Sequence, residues 1–286
     1  FLASKDYPEK LMNFINSWEA MPWVEKYETK TVKEILENTI EIQALICPKG
    51  TIALTSGIDA GQGGFWFAVT AWNWAMSPHL VHYGSLFGWE AVTKLVWENA
   101  YKVEGEERQL GIWRAGIDTG GSKYESENTT MTAAAYDWLR KFGRGRAFAT
   151  KGMSRPTGAK IKNSIIDKMP GPKGRPIPGG IILWSIDTAS FKDTIQYRLQ
   201  VKVGDPGRFT FHSETKRDYV DHLLAEEKRR NRHGQAEWIV VRQMNHLLDC
   251  TIIAFALADP ECWGGIKVLQ MSRTSQHRRV ISSGVG

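Results

Sequence analysis

The sequence predicts an α/β fold, a mixed central sheet flanked by helices and carrying a basic insertion, and three observations support this. Apolar runs of strand length, Thr51 to Thr55 and Leu110 to Ala115, each lead into a glycine turn holding one aspartate, Ser56-Gly57-Ile58-Asp59-Ala60-Gly61 and Ala115-Gly116-Ile117-Asp118-Thr119-Gly120-Gly121. Stretches of helical periodicity alternate with such runs. Near the end, Asn245-His246-Leu247-Leu248-Asp249-Cys250 opens the apolar stretch Thr251 to Ala258, which reads as a buried helix carrying a third aspartate.

Tyr7 to Ala44 has apolar positions at helical spacing, from Lys10 to Trp18 and again from Thr31 to Ile40, so residues 1–50 are expected to form a helical lead-in. Gly64 to Asn73 and His79 to Leu86 read as strands joined by a turn at Ser77-Pro78, and with the first aspartate strand they make an antiparallel meander. Glu90 to Tyr101 reads as an amphipathic helix, followed by the second aspartate strand, a helix from Thr130 to Lys141 and a strand from Arg146 to Thr150. The order is three strands, helix, strand, helix, strand, with carboxylates closing the first and fourth strands and another on a late helix. That is the ribonuclease-H-like arrangement, and it permits Asp59 and Asp118 to meet at one edge of the sheet.

Residues 151–180 hold seven Lys or Arg against the single Asp167, with several Pro and Gly, and are expected to form a basic loop or small hairpin standing off the domain. Lys160, Lys162, Lys173 and Arg175 are its candidate phosphate contacts, the alternative being a solvated insertion. A strand from Ile181 to Ile186, a short helix from Phe191 to Gln200 and a charged, solvated helix from Asp218 to Arg232 follow. One domain of this ribonuclease-H-like arrangement is thus expected over 51–270, with a basic, Ser/Gly-rich tail over 271–286.

Composition narrows the class. A chain of 286 residues, 42% hydrophobic and 24% charged, has the make-up of a globular domain with an appendage. Cys47, Cys250 and Cys262 form no C-x-x-C pair, which argues against zinc ribbons and disulfide frameworks and fits a reducing cytoplasm. Apolar runs fall short of the roughly 18 residues of a membrane span. A net charge of +6 and a pI of about 9.1 favour a polyanionic partner. The Trp residues at 66, 72, 74, 97 and 138 fall on expected strands and helices, where core packing is the default.

An isolated Asp-x-Gly is ordinary turn chemistry. What distinguishes these two is the strand before each, because carboxylates gathered from strand ends suit divalent cations that cleave phosphodiesters. On a helix, Asp249 shares a face with His246, Ile252 and Ile253, which puts a charge on the packing side. Burying it unpaired is costly, and a metal ion removes that cost; the alternative is a carboxylate favoured by the helix N-terminus. Lys151, just past a strand end, could stabilise charge on a phosphate or simply contact the DNA backbone. His246 could support the site from behind or merely pack, and Asp187 could be a fourth acid or, preferably, the N-cap of the helix near Phe191.

These segments together resemble the nuclease portion of phage large terminase subunits of the lambda type. The likeness covers Phe14 to Trp18, Cys47-Pro48-Lys49-Gly50, both Gly-Ile-Asp segments, Ala149-Thr150-Lys151-Gly152, Trp184-Ser185-Ile186-Asp187 and Asn245 to Cys250. It implies a metal-dependent endonuclease acting on concatemeric double-stranded phage DNA in the host cytoplasm, with two Mg2+ or Mn2+ ions. Asp59 would bridge the ions, with Asp118 completing one site and Asp249 the other. It further implies an ATPase domain upstream of residue 1, and the small terminase subunit and portal protein as partners, with no membrane. A phosphate-binding G-x-x-x-x-G-K-[ST] loop does not occur in these residues. Competing readings are a junction resolvase or transposase-like nuclease, and a non-catalytic DNA-binding or portal-docking module.

Overall fold

The computed structural model describes residues 14, 17, 30–61, 63–120, 131–143, 145–153, 158–170, 174–230, 232 and 235–270. Much of the expected lead-in, Lys173 and the tail lie outside these residues. The strands are β1 (Ile46–Cys47), β2 (Ala53–Gly61), β3 (Gly64–Trp72), β4 (Pro78–Leu86), β5 (Ala100–Val103), β6 (Gln109–Gly111), β7 (Arg114–Asp118), β8 (Ala147–Gly152), β9 (Ile161–Lys168), β10 (Pro176–Ile186), β11 (Thr210–Phe211), β12 (Glu226–Arg230) and β13 (Ala236–Val240). The helices are α1 (Val32–Leu36), α2 (Gly88–Trp97), α3 (Met131–Trp138), α4 (Thr188–Gln200), α5 (Arg217–Leu223) and α6 (His246–Ala258).

Eight strands form the central sheet, in the order β11-β4-β3-β2-β7-β8-β10-β9. The hairpins β2–β3 and β3–β4 are antiparallel, whereas β2, β7, β8 and β10 run parallel as neighbours. This is the mixed, ribonuclease-H-like sheet that the order of elements predicts. Alternation along β2 divides its side chains between two cores. Ile58 packs in the core that also holds Val92 and Val96 of α2 and Tyr136 and Trp138 of α3, while Ala53 faces the core built on α4, α5 and α6.

α6 is apolar almost all round, and the sheet accepts it through missing side chains. A Cβ on Gly57 would lie 1.9 Å from the Cys250 carbonyl oxygen, and one on Gly116 would lie 2.4 Å from Ile253 Cγ2. Gly57 and Gly116 are register partners on the adjacent parallel strands β2 and β7. The twin Gly-Ile-Asp segments therefore share one cause: each glycine seats α6, and each aspartate follows two residues later on the same face.

The register continues along the helix. Thr55 Oγ1 donates to the Ala254 carbonyl at 2.8 Å, Gly57 abuts Cys250, and Asp59 meets His246. Two residues up β2 match four residues back along α6, because two strand residues advance about 6.8 Å and four helical residues about 6.0 Å. The same step along β7, from Gly116 against Ile253, carries Asp118 towards Asp249. Arg114, buried and stacked over Trp113 at 4.1 Å, donates to the Leu257 and Cys262 carbonyls at 3.3 and 2.7 Å and ties down the C-terminal end of α6.

Gly57→Ala is expected to destabilise the domain by about 1–3 kcal/mol, since backbone and not a flexible side chain opposes the added methyl. Gly111→Ala, where the nearest atom lies 3.8 Å away, is the control. Urea denaturation of the two variants tests this; equal midpoints would contradict the seating of α6 on Gly57.

Several expected elements differ. The second aspartate run is two strands, β6 and β7, broken at Ile112 and Trp113, and the expected helix to Tyr101 ends at Trp97, where Ala100 begins β5. The helix expected from Asp218 to Arg232 stops at Leu223, and Glu226–Arg230 pairs antiparallel with Ala236–Val240. Its charges alternate with period two: Glu226 turns inward to a 2.6 Å ion pair with buried Lys192, and Lys228 bonds Asp193 at 2.9 Å. The basic insertion does not stand off the domain. β9 forms the edge of the main sheet against β10, and Arg175 binds Asp137 of α3 through both carboxylate oxygens at 3.0 and 2.9 Å.

Candidate metal centre

Asp59 lies near the end of β2, Asp118 ends β7, and Asp249 stands in the first turn of α6, all on the face that α6 covers. Asp59 is 7% exposed. The Nδ1 atom of His246 lies 2.6 Å from Asp59 Oδ2, and the His246 ring stacks on Trp66 at 5.7 Å with 4° between the planes. Trp66 is the register partner of Asp59 on β3. Trp66 is partly buried, packed against the main core on one side and walling the site on the other, whereas Trp74 is exposed. Trp72 and Trp138 are buried as expected.

Electrostatics bind the three carboxylates together. Burial first, then the charge of Asp59, pushes the Asp118 carboxyl up to about 6 despite hydrogen bonds from the Gly120 and Thr119 backbone. Burial and Asp59 likewise push Asp249 up to about 7, with Glu226 and Asp118 adding to the rise and Lys192 opposing it. The bond to Asp59 raises the His246 imidazole against its own burial. Like charges that cannot spread into solvent take up protons instead, unless a cation neutralises them.

Lys151 follows Thr150, the register partner of Asp118, on β8. Its Cγ would lie 3.3 Å from a Cβ on Gly120, the residue whose N–H donates to Asp118 Oδ1 at 2.9 Å, so its stem lines the turn beside Asp118. Asp187 caps α4, accepting from the Ser190 N–H at 3.3 Å, and lies at the end of β10. The amino-acid pattern alone did not single out Trp66, His222, Lys192 or Glu226 as neighbours of a site. Of these, only the period-two charge of β12 left a local signal.

The donor set suits a hard divalent cation: three carboxylates, largely buried, of which Asp59 raises the proton affinity of the other two. Among the described residues, no three or more His, Cys, Asp or Glu side chains stand together closely enough to hold a metal ion as they are placed. A groove of about 430 Å³ bounded by Arg140, Phe148, Pro178 and Trp263 flanks the start of β8 and includes none of these acids.

A fold of this kind with carboxylates at the ends of adjacent strands defines an α/β domain of the ribonuclease-H-like class. The sequence profile described as terminase large subunit gpA, endonuclease domain, matches residues 1–262, and the chain belongs to that family. No curated protein matches it. Among solved structures it is similar to a mutant nuclease domain of the large terminase subunit of bacterial virus Sf6 with manganese, at 13% identity and a TM-score of 0.41, covering 72% of this chain and 89% of that one. It is also similar to the large terminase nuclease domain of bacteriophage SPP1 with bound Mn, at 12% identity and a TM-score of 0.38, covering 77% and 97%. The large terminase nuclease of thermophilic phage G20c with bound cobalt matches at 10% identity and a TM-score of 0.39, covering 80% and 98%. Among the described residues no helix is long and apolar enough to cross a membrane.

Proposed function

We propose that this domain is a metal-dependent endonuclease that cleaves double-stranded phage DNA, with Asp59, Asp118 and Asp249 holding two Mg2+ or Mn2+ ions. The placement of Asp59 at the end of β2, Asp118 at the end of β7 and Asp249 in the first turn of α6, with the charge of Asp59 raising both of the others, supports this reading. The ions, when bound, supply an activated water and neutralise charge on the scissile phosphate. The chain's own residues do the rest. Asp59, whose charge raises both of the other acids, would hold the ions together with Asp118 and Asp249; His246 orients its carboxylate; and Lys151 offers a cation to the phosphate beside Asp118.

A row of basic residues leads away from the acids. Lys151 and Lys162 are both register partners of Ser185, so they stand two strand spacings apart, about 10 Å. Lys160 flanks the same end of β9. A duplex laid along this edge would meet cations at its phosphates and few base-reading groups, leaving sequence choice to the small subunit and assembly to the portal, in the host cytoplasm. Neutralising Lys160 and Lys162 is expected to weaken duplex binding and to reduce the salt slope by roughly 1 for each phosphate that the variant no longer neutralises. Arg175 is expected to contribute less because Asp137 engages it. Filter binding across a salt series checks this, and an unchanged slope would dismiss the track.

Supercoiled plasmid incubated with Mn2+ or with EDTA tests the function. Nicking and linearisation in Mn2+ that stop in EDTA are expected, with no preference for four-way junctions over linear duplex. Metal-independent cleavage, no cleavage, or strong junction preference would contradict the proposal.

A further inference from the structure

The helix that carries His246 and Asp249 has no N-cap of its own. Asn245 makes no side-chain bond to the first turn. The Leu247 N–H, the second helical position and a usual target of an N-cap side chain, donates instead to Nδ1 of His222 on α5 at 3.1 Å. His222 is buried, and its ring forms a triangle with Trp66 and His246: the centroids stand 5.2 Å from Trp66 to His222, 5.7 Å from Trp66 to His246 and 6.3 Å between the two imidazoles. This three-ring cluster from α5, β3 and α6, with the Leu247–His222 bond, sets the angular position of the first turn of α6. That turn places His246 against Asp59 and carries Asp249.

We propose that His222 is a positioning residue of the metal centre, acting as the N-cap that α6 lacks in its own sequence; this rests on the nuclease reading above. The geometry fixes its chemical form. A backbone N–H needs a lone pair, so Nδ1 is bare and the proton sits on Nε2. An imidazolium would set two donors against each other and release the first turn. Burial and the neighbouring His246 hold His222 below its usual range, which keeps it neutral, although Asp218 and Asp221 of its own helix pull the other way. Those two carboxylates are engaged elsewhere: Tyr83 donates to Asp218 at 2.9 Å, and Arg242 and Arg217 pair with Asp221 at 2.6 and 3.2 Å. With Arg114 at the other end, both termini of α6 are held by side chains from other elements.

The test compares His222→Asn, His222→Gln and His222→Leu in the intact domain. An asparagine oxygen can occupy the place of Nδ1 and accept from Leu247, whereas glutamine, closer to histidine in size, places its acceptor nearer Nε2. His222→Asn is expected to keep the slow amide exchange of Leu247 and the parental Mn2+ affinity, and the Gln and Leu variants to exchange faster and bind Mn2+ about tenfold or more weakly. If His222 served as packing alone, glutamine would perform at least as well as asparagine. That order, or unchanged exchange and affinity in all three, would overturn the proposal. Should parental Mn2+ binding itself fail, the nuclease reading fails, while the Leu247 exchange and the Nδ1 nitrogen resonance still decide whether His222 is the cap.

Discussion

Asp59→Asn is expected to reduce Mn2+-dependent plasmid cleavage by on the order of 10³-fold or more, the scale on which removing a preorganised charge from a phosphoryl or acyl site acts. The substitution keeps the shape of the side chain and an oxygen facing His246 Nδ1, so the fold should persist. It removes the charge that helps raise both Asp118 and Asp249. Carboxyl titrations followed by NMR in the metal-free domain should therefore show both acids ionising at lower pH than in the parent. A variant that nicks at the parental rate would remove Asp59 from the site. Unmoved titrations would remove the coupling among the three acids.

Asp249→Asn is expected to do the opposite to stability of what it does to activity. In the parent, the Asp249 carboxyl is pushed from 3.8 up to about 7, so its contribution to stability is fully present below the unfolded value and is lost as pH rises through about 7. At pH 8 the metal-free fold must hold that charge in a buried acidic cluster, at a cost on the order of a few kcal/mol. The amide carries no charge. The variant should consequently be more stable than the parent at pH 8 in EDTA, by roughly 2–4 kcal/mol, with the advantage vanishing near pH 4. Mn2+ should reverse the order by stabilising the parent and leaving the variant nearly unchanged. Urea denaturation at pH 4 and pH 8, with EDTA and with Mn2+, measures all four quantities. A variant less stable than the parent at pH 8 in EDTA would mean that the Asp249 carboxylate is satisfied within the protein itself.

Much of this arrangement is legible locally. The ends of β2 and β7 show as apolar runs closing on Gly-Ile-Asp, and α6 shows as a wholly apolar stretch whose first turn holds a charge. What was not legible depends on distant partners. Gly57 and Gly116 look like turn residues until α6 is laid across them, and the likeness of the two segments, incidental along the chain, is the footprint of one helix on two strands. Glu226–Arg230 reads as a charged helix because its charges also fall at i and i+4; only the buried Lys192 and the strand Ala236–Val240 reveal the period of two. His222 and Trp66 carry no motif at all. A cap supplied from another helix, and an indole packed against two imidazoles, exist only once α5, β3 and α6 have met.

The most direct measurement is anomalous diffraction from Mn2+-soaked crystals of the domain. Manganese is expected to be held by the carboxylates of Asp59, Asp118 and Asp249 together, with His246 still bonded to Asp59. Manganese bound elsewhere, or at this edge without Asp249, would contradict that expectation.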